Sequence, residues 1–452
     1  MAGRFDTVVT GLQDMYLTGN PQMSYFLTRF SRYTKFTTQT LEMPFNGGPV
    51  RGQELSCPVS TSSGDMISNM TLKIFVNNDI TSNVHDSFIK ANIEYIDLYI
   101  GSQHIDRLTT DYISMYLKLR SVETDDLNIL SRDSYNVNSH FSRNIPLYLD
   151  LPFYFYKHPH LALPVCAMYK QSLEVRIKMK EPVVFKTAYM PVDYSQNLKI
   201  DRISLNVDYH HLMEEEKTFF KSRPMEYIIT QTQLSSKIIE STDIDKEHSF
   251  MCNFKNPVRE FMFFLKHDAW EKFTNRSNIN EELVSANMKI NNVVLFSGNH
   301  NDLSSHQFLN KYKSPSDIVE ENLIWHRSSN RYNETFIPIN DMLSFEAVRR
   351  LPGTPPNRPW TSTTTLGWFK TFKVKNGLFY VYPLCIDPNT HEPTGHLNMS
   401  RIVHQTFTFK FKAPDPNSIY TVWNDLYKSK LYLYAVNYNI LVFNDGLCGL
   451  KY

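Results

Sequence analysis

Two segments of the chain combine β-branched and aromatic residues in the way that is typical of β-strands. Ile203–Tyr209 lies near the middle of the sequence and Leu433–Phe443 lies near its last residue, and both contain the triplet Val-(Asp/Asn)-Tyr. Each segment lies where a β domain would end, so we interpret them as equivalent last strands of two copies of one fold. The pattern predicts a duplicated all-β protein.

Alternation of apolar and polar residues predicts further strands in both halves. In the first half the alternation is clearest in Met70–Val76 and Ile93–Ile100, and Leu173–Ile177 repeats it. The second half has a comparable series of strand-like runs: Tyr227–Gln231, Val258–Leu265, Lys289–Phe296, Leu378–Leu384 and Phe407–Phe411.

Two short helices and two long polar segments are predicted between these strands. Tyr112–Leu119 favours a helix, and the polar residues 120–143 follow it. Met213–Phe220 carries acidic residues in its first turn and is soon followed by Pro224, so we place a second short helix and the joint between the domains here. The Asn-, Ser-, Thr- and Pro-rich stretch from Gly298 to Lys375 predicts a long exposed loop, or tower.

Composition supports the β class and a neutral surface. The 452 residues include 30 Phe and 26 Tyr but only 15 Gly, which favours strands over helices and argues against disorder. Charges nearly cancel, with 47 Lys+Arg against 46 Asp+Glu, and the first 24 residues contain one Arg and no Lys. Because direct packaging of nucleic acid requires basic residues against phosphates, we expect no direct nucleic-acid binding.

Cysteine usage and segment hydropathy predict a soluble cytosolic protein. The five cysteines are odd in number and far apart, which predicts free buried thiols rather than disulfides or a zinc site. We find no secretory signal pattern, and no apolar run approaches about 20 residues. Without such a signal the four Asn-X-Ser/Thr sequons are interpreted as chance occurrences, and their glycosylation stays open. They begin at Asn69, Asn275, Asn333 and Asn398.

The spacing of His104 and Asp106 offers one enzymatic reading. A His-x-Asp pair together with a distant His binds iron in some oxygenases of β architecture. The alternative is a structural turn after Gly101 that contains the triplet, and we favour this alternative. The chain lacks phosphate-binding loops, nucleophile elbows and zinc-protease helices. We therefore predict that it is not an enzyme and that it has no catalytic, cofactor-binding or metal-binding residues.

Two histidine pairs and an acidic cluster are the other candidate cation sites in the sequence. His158 and His160 flank a proline, and His210 and His211 are adjacent, but neither pair has an evident third ligand, so surface histidines are the favoured interpretation. Glu214–Glu216 are better explained as the solvated N-terminal turn of a helix than as a metal site.

Basic and aromatic residues alternate near the N-terminus. Arg29, Arg32 and Lys35 recur at every third position beside Tyr25, Phe26, Phe30 and Tyr33. This mixture suits contact with lipid head groups or with acidic faces of partner proteins. It equally suits an ordinary basic face packed at the base of the first domain, and both readings stay open.

A set of short segments recurs in the order found in one viral family. The set comprises Gln13–Gln22, Tyr25–Phe26, Gly64–Ile67, Ile100–Asp106, Leu149–Phe153, Leu161–Pro164, Glu226–Gln231, Phe254–Glu260, Tyr380–Tyr382, Pro393–Gly395, Asn398–Ile402 and Tyr434–Asn439. In these residues the chain resembles the major capsid proteins of nucleocytoplasmic large DNA viruses. The resemblance covers essentially the whole chain.

The resemblance implies a fold and a role. The expected fold is two consecutive eight-stranded jelly rolls, with an arm at residues 1–24, a first roll at 25–212, a helical linker at 213–224 and a second roll at 225–452. The expected role is a structural subunit of the virion, whose homotrimers form pseudo-hexagonal capsomers that tile an icosahedral outer shell. Expected partners are further copies, minor capsid and penton proteins and a nearby internal membrane, with assembly in the host cytoplasm.

Two alternatives stay open from the sequence. One is a double jelly-roll scaffold of the poxvirus kind, which shapes a membrane during assembly and then leaves. The other, from a different class, is an iron-dependent oxygenase or a sugar-binding β-sandwich.

Overall fold

The computed structural model describes most of the chain. The described residues are 11–27, 30–76, 92–120, 147–181, 200–240, 245–267, 283–299, 302–303, 307, 311–312, 319–326, 367–374, 379–412 and 429–452. They fall into two compact units, residues 1–36 and 37–452.

The first unit contains a single short helix within its described part, α1 (Asp14–Thr18), none of whose residues is buried. The carboxylate of Asp14 accepts a hydrogen bond from the N–H of Gly11 at 2.8 Å. The described residues that follow α1 form turns and irregular backbone, and large apolar side chains such as Tyr25 and Phe26 are fully exposed.

The described residues between 36 and 212 contain eight strands in two four-stranded sheets. The strands are β1 (Phe36–Pro44), β2 (Glu54–Val59), β3 (Met66–Val76), β4 (Ile93–Ile100), β5 (Gln103–Thr109), β6 (Leu147–Asp150), β7 (Leu173–Met179) and β8 (Ile200–Leu212). One sheet has the order β1-β8-β3-β6 and the other has the order β2-β7-β4-β5. This interleaving of early and late strands in two antiparallel sheets is the jelly-roll arrangement.

The second half contains twelve described strands. They are β9 (Met225–Ile239), β10 (His248–Cys252), β11 (Pro257–His267), β12 (Leu283–Ile290), β13 (Val293–Gly298), β14 (Val319–His326), β15 (Gly367–Val374), β16 (Tyr380–Pro383), β17 (Leu397–Asn398), β18 (Gln405–Phe411), β19 (Ser429–Asn444) and β20 (Leu447–Leu450). One sheet has the order β10-β18-β12-β13. In the other, β16 pairs with β11 and β11 with β19, while β9 and β20 also pair with β19 and β17 pairs with β11.

The two halves have the same connectivity. β8 lies between β1 and β3, just as β19 lies between β9 and β11. The triplets Val207–Tyr209 and Val436–Tyr438 therefore occupy equivalent strands, as the shared pattern predicted. Beside each triplet the partner strand has a register shift, between Ile67 and Asn69 in β3 and between Val258 and Glu260 in β11. The predicted double jelly roll is confirmed.

Both predicted helices are present in the second unit. α2 (Thr110–Arg120) follows β5 directly, and α3 (Glu214–Ser222) connects β8 of the first roll to β9 of the second. The polar residues predicted to follow α2 lie outside the described residues from 121 onward. α3 has Glu214 in its first turn and Lys221 in its last, so both charges oppose the helix dipole.

The prediction of one strand at Lys289–Phe296 was wrong. β12 ends at Ile290, Asn291 and Asn292 form a turn, and β13 begins at Val293. Both asparagines have positive φ, 47° and 69°, which is the backbone of a two-residue hairpin turn that Asn tolerates better than most residues. The Asn-Asn pair was a usable turn signal within an otherwise apolar run.

The stretch from Gly298 to Lys375 is not uniformly a loop. β14 and β15 pair in it as a separate two-stranded antiparallel sheet. The residues between these strands, 327–366, lie outside the described residues, so the exposed tower stays a prediction.

Alternate residues of β11 and β19 belong to two different cores. Phe263 and Leu433 pack in the core enclosed by the second roll. Their neighbours Phe264 and Tyr434 pack instead in the cluster that contains the core of the first roll. Because these strands are buried on both faces, the run Leu433–Phe443 is almost continuously apolar rather than alternating.

Candidate functional site: the seam between the two rolls

The seam is the surface where β5, α2 and residues 168–171 of the first roll meet β9, β11, β19 and β20 of the second. At its centre Tyr434 shares a hydrogen bond of 2.8 Å with Thr109 and lies 5.9 Å from the ring of Tyr112. Phe264 stacks against the same tyrosine at 6.2 Å. The seam is therefore a buried aromatic contact rather than a solvent-filled gap.

One ion pair ties a helix of the first roll to a strand of the second. Lys266 of β11 lies 3.1 Å from the carboxylate of Asp111 in α2, and both side chains are largely buried. Removing one partner of such a pair leaves an uncompensated charge and is strongly destabilising. The pair therefore fixes which residues face each other across the seam.

Asp106 is an acceptor for the backbone of the opposite roll. Its carboxylate accepts hydrogen bonds from the N–H and hydroxyl of Thr232, at 3.0 Å and 3.2 Å. The preceding residue, Gln231, donates a side-chain hydrogen bond to the carbonyl of Ile105. Burial raises the pKa of Asp106 to about 6, although its hydrogen bonds favour the charged form. This aspartate docks β9 against β5.

His104 does not form a ligand pair with Asp106. We expected the triplet His104–Asp106 to lie on a turn. The turn between β4 and β5 consists of Gly101 and Ser102 alone, so the triplet lies within β5. A register shift at this point leaves His104 next to Asp97 of β4, at 3.5 Å. Arg107 holds the same carboxylate with two hydrogen bonds of 2.7 and 2.8 Å.

The carboxylate of Asp97 is thus satisfied by its own sheet. Burial alone would raise the pKa of Asp97, but the hydrogen bonds from His104 and Arg107 hold it below its usual range. Asp97 therefore holds residues of its own sheet in the first roll, whereas Asp106 binds the second roll across the seam.

A tight turn between β19 and β20 completes the seam. Asp445 and Gly446 both have positive φ, 49° and 78°. Lys170 pairs with Asp445 at 2.9 Å, and its N–H donates to the carbonyl of Gly446 at 3.1 Å. The amide of Gln171 accepts from the N–H of Cys448 at 2.7 Å. The turn is seated directly on the first roll.

Neither the adjacent pair His210 and His211 nor the acidic cluster Glu214–Glu216 forms a metal site among the described residues. His211 contacts Gln39 of β1 at 2.9 Å, while burial lowers the pKa of the half-buried His210. Glu214–Glu216 form the first turn of α3, as expected. The helix is anchored by Lys217, which lies 2.8 Å from Asp65.

The structure does bring His158 and His160 together with a third histidine, His391, which comes from the second roll. This third partner is not evident from the sequence, because it lies more than 200 residues further along the chain. Within the described parts, no group of three or more His, Cys, Asp or Glu side chains is placed to hold a metal ion. The three rings pack against each other rather than converging as ligands.

All five cysteines are buried and free, as predicted: Cys57, Cys166, Cys252, Cys385 and Cys448. Burial raises the pKa of Cys57, Cys252 and Cys448 to about 12, so these thiols are protonated and unreactive at neutral pH. No helix among the described residues is both long enough and apolar enough to cross a bilayer.

The basic residues near the N-terminus are only partly described. Arg32 and Lys35 are exposed, whereas Arg29 lies outside the described residues.

Of the sequons, Asn69 is half-buried in β3 and Asn398 is exposed, where it accepts a hydrogen bond from the N–H of Ser400 at 3.1 Å. Asn275 and Asn333 lie outside the described residues.

Two jelly rolls of identical strand order, joined along a buried seam, define a double jelly-roll protein. Comparison with known families identifies which one. Residues 24–213 match the family model described as major capsid protein N-terminus, and residues 216–449 match the model described as large eukaryotic DNA virus major capsid protein. The chain belongs to this family of major capsid proteins.

Individual relatives agree with the family. The major capsid protein of Pyramimonas orientalis virus is 24% identical over 100% of this chain and 99% of its own length. That of Paramecium bursaria Chlorella virus 1 is 25% identical over the full length of both chains. Among solved structures, PBCV-1 VP54 fitted into a reconstruction of the virophage Sputnik has a TM-score of 0.68 at 19% identity, covering 95% of this chain and 100% of that one.

A more distant structure has the same fold. The Faustovirus major capsid protein gives a TM-score of 0.59 at 10% identity, covering 96% of this chain and 95% of that one. The relatives are structural capsid proteins, so the protein is not an enzyme and the oxygenase reading of His104 falls. Because the relatives are named as capsid proteins, the scaffold alternative is not favoured.

Proposed function

We propose that this major capsid protein forms homotrimers that serve as pseudo-hexagonal capsomers and tile an icosahedral shell. The observation that carries the proposal is the identical strand order of two rolls held side by side by a buried seam. Three chains then present six similar blocks around one three-fold axis, so a trimer can make nearly six-fold lateral contacts. Large flat facets can be built from one chain on this principle.

The proposed division of the chain follows the sheets. We assign an N-terminal arm to residues 1–24, the first roll to 25–212, the linker to 213–224 and the second roll to 225–452. Support comes from α3, which lies between the last strand of one roll and the first strand of the next. A short helix of this kind gives the chain a stiff connection between two separately closed sheet pairs.

The proposed partners are further copies of the chain, minor capsid and penton proteins, and an internal membrane close to the first unit. Residues 15–41 contain no Asp or Glu, and the large apolar side chains described there are exposed. Direct binding of nucleic acid is not part of the proposal, because the net formal charge is only +1. The proposed location is the outer shell of the virion, after assembly in the host cytoplasm.

The native mass of the purified protein tests the proposal. Three chains of 52.9 kDa give a particle of about 159 kDa. Light scattering on a sizing column should report that mass, and electron micrographs of the peak should show a hexagonal outline. A stable monomer with a round outline would contradict the proposal.

A further inference from the structure

Three imidazoles from distant parts of the chain meet where the two rolls adjoin. His158 and His160 flank Pro159 at a short 3-10 turn of the first roll, and His391 lies on the segment 383–396 of the second. The ring centroids of His158 and His160 are 5.5 Å apart. Those of His391 lie 5.6 Å from His158 and 5.3 Å from His160. Each ring therefore packs against the other two.

The turn that carries His158 and His160 is held in place by its own roll. The carbonyl of His158 accepts a hydrogen bond from the N–H of Leu161 at 2.9 Å, and the side chain of Leu161 is buried. Lys157 precedes the turn with a positive φ of 59°. The two imidazoles are thus presented from a fixed backbone.

The segment that carries His391 is held by the second roll. The guanidinium of Arg259 donates to the carbonyl of Pro388, and the side-chain amide of Asn389 donates to the carbonyl of Tyr312 at 2.9 Å. Within the segment, the hydroxyl of Thr394 accepts a hydrogen bond from the N–H of Asp387 at 3.1 Å. Both sides of the histidine contact are therefore stiff, so the rings cannot separate without moving one roll's segment.

The charged groups around His391 favour its neutral form. Burial lowers its pKa to about 4, and His158, His160 and Arg259 add to the effect. Among the described residues, the acids of these segments have other partners or lie at the surface: Asp387 accepts from the N–H of Asn389 at 2.9 Å, Glu260 pairs with Arg259 at 3.2 Å, and Glu392 is exposed. Other ionisable residues on or touching these two segments, among the described residues, include Lys157, His396, Tyr312 and Lys311, whose ammonium group donates to the carbonyl of Cys385 at 3.4 Å.

We propose that His158, His160 and His391 form an acid-sensitive clasp between the two rolls. When the imidazoles are neutral, the rings pack and hold the segment 383–396 against the turn of the first roll. When His391 is protonated, its charge is repelled by the surrounding groups, including the guanidinium of Arg259, and this contact opens while the two β cores stay intact. The clasp lies within one chain and does not depend on the assembly proposed above.

The sign of the pH effect follows from the lowered pKa of His391. A histidine with an ordinary pKa of 6.5 in the open state and about 4 in the closed state binds its proton more readily when the clasp is open. Closure is therefore fully favoured above pH 6.5 and is lost as the pH falls from 6.5 toward 4. The same group has no effect on closure between pH 7 and 9.

Amide hydrogen exchange of the purified protein tests the clasp. Exchange into peptides that cover 155–163 and 385–396 is measured at pH 7.5 and pH 4.5, with labelling times corrected for the chemical exchange rate. We expect protection of both peptides to fall about tenfold or more at pH 4.5, since one pKa unit corresponds to a tenfold change in an equilibrium constant. A peptide that covers β18 should keep its protection.

Variants separate a clasp from general acid sensitivity. His391→Gln should abolish the acid response, and His391→Arg should open the clasp already at pH 7.5. The matched controls are His404→Gln and His404→Arg, at an exposed histidine of the same roll, which should behave as wild type. The double variant His158→Gln with His160→Gln repeats the test from the first roll. The clasp can then still be tested if the His391 variants fail to fold.

Three results would overturn the clasp. Unchanged protection of both peptides between pH 7.5 and 4.5 in the wild type is the first. A full acid response in both His391→Gln and the His158/His160 double variant is the second. The third is an acid response that disappears after treatment with a chelator, since that would indicate a bound cation rather than proton-driven repulsion.

Discussion

The carboxylate of Asp106 shows how one side chain joins the two rolls at the cost of burying a charge. It accepts two hydrogen bonds from Thr232, yet burial raises its pKa from 3.8 to about 6. A raised pKa means that the folded protein prefers the neutral acid, so the contribution of Asp106 to stability is full below about pH 4. That contribution is lost as the pH rises through 6.

Asp106→Asn should therefore keep the acceptor for the N–H of Thr232 and remove the buried charge. We expect its melting temperature at pH 7 to equal or exceed that of the wild type. The change in melting temperature between pH 4 and pH 6 should become smaller than in the wild type, because the titrating group is gone. Thermal unfolding followed by circular dichroism at these pH values measures both effects.

Asp106→Ala is the matched comparison for this prediction. It removes the acceptor as well as the charge and leaves the N–H of Thr232 unpaired at the seam, which costs about 1–3 kcal/mol. Its melting temperature at pH 7 should lie below that of Asp106→Asn. If the two variants are equally unstable, the carboxylate acts through packing and not through the hydrogen bonds described here.

Gly446 is required by backbone geometry at the turn that rests on the first roll. Its φ is +78°, and a Cβ there would lie 2.7 Å from the ring of Tyr169. Gly446→Ala should destabilise the protein by about 1–3 kcal/mol through backbone strain. Gly48→Ala is the control, because nothing lies within 4 Å of a Cβ at that position. Equal melting temperatures for the two variants would show that the turn relaxes without cost.

At the scale of elements, β11 and β19 act as a shared wall between two cores. Phe263 of β11 packs into the second roll, and the next residue, Phe264, packs into the seam, where it stacks on Tyr432 at 5.1 Å. Period-two alternation sends neighbouring side chains to opposite faces of the sheet. A wall of this kind makes the stability of one roll depend on the presence of the other.

Phe264→Ala and Phe263→Ala should therefore change the unfolding transition in different ways. Each removes a buried ring and should cost about 3–5 kcal/mol. Phe264→Ala weakens the contact between rolls, so calorimetry should show a broadened or split unfolding transition. Phe263→Ala should lower the midpoint without splitting, since its cavity lies within one roll. A single sharp transition for Phe264→Ala would mean that the remaining seam contacts suffice to couple the rolls.

At the scale of the whole molecule, the first unit carries apolar and basic side chains that suit a lipid surface. Tyr25, Phe26 and Tyr33 are exposed, as are Arg32 and Lys35. Aromatic rings sit at the boundary between head groups and acyl chains, and cations are attracted to anionic lipids. These are the side chains that the proposed contact with an internal membrane would use.

Replacing Arg32 and Lys35 by Gln should weaken binding to phosphatidylserine vesicles about fivefold or more per charge, since each cation near an anionic surface contributes about 1 kcal/mol. Vesicle flotation at low and physiological salt measures the loss. Lys289→Gln with Lys410→Gln removes two exposed charges from the second roll and should leave binding unchanged. If both double variants float like the wild type, the basic residues of the first unit do not contact lipid.

Much of the fold was visible in the sequence because it depends on local patterns. The period-two alternation of β7, the acidic first turn of α3 and the repeated Val-(Asp/Asn)-Tyr triplet each report on a few neighbouring residues. The hairpin at Asn291 and Asn292 was missed because the apolar residues on either side outweighed a two-residue turn signal. The contacts of the candidate site were harder to predict from the sequence, because Gln231, Thr232 and Lys266 bind partners more than 100 residues away along the chain.

By itself the sequence determined the all-β class, the duplication and the near-neutral charge, since composition and periodicity do not depend on how distant segments pack. It also identified the family through segments spread along the chain. Only the tertiary structure decided that Asp106 holds the opposite roll while His104 stays within its own sheet, because a register shift separates them. The meeting of His391 with His158 and His160 was decided there too, since such contacts depend on the docking of two complete rolls.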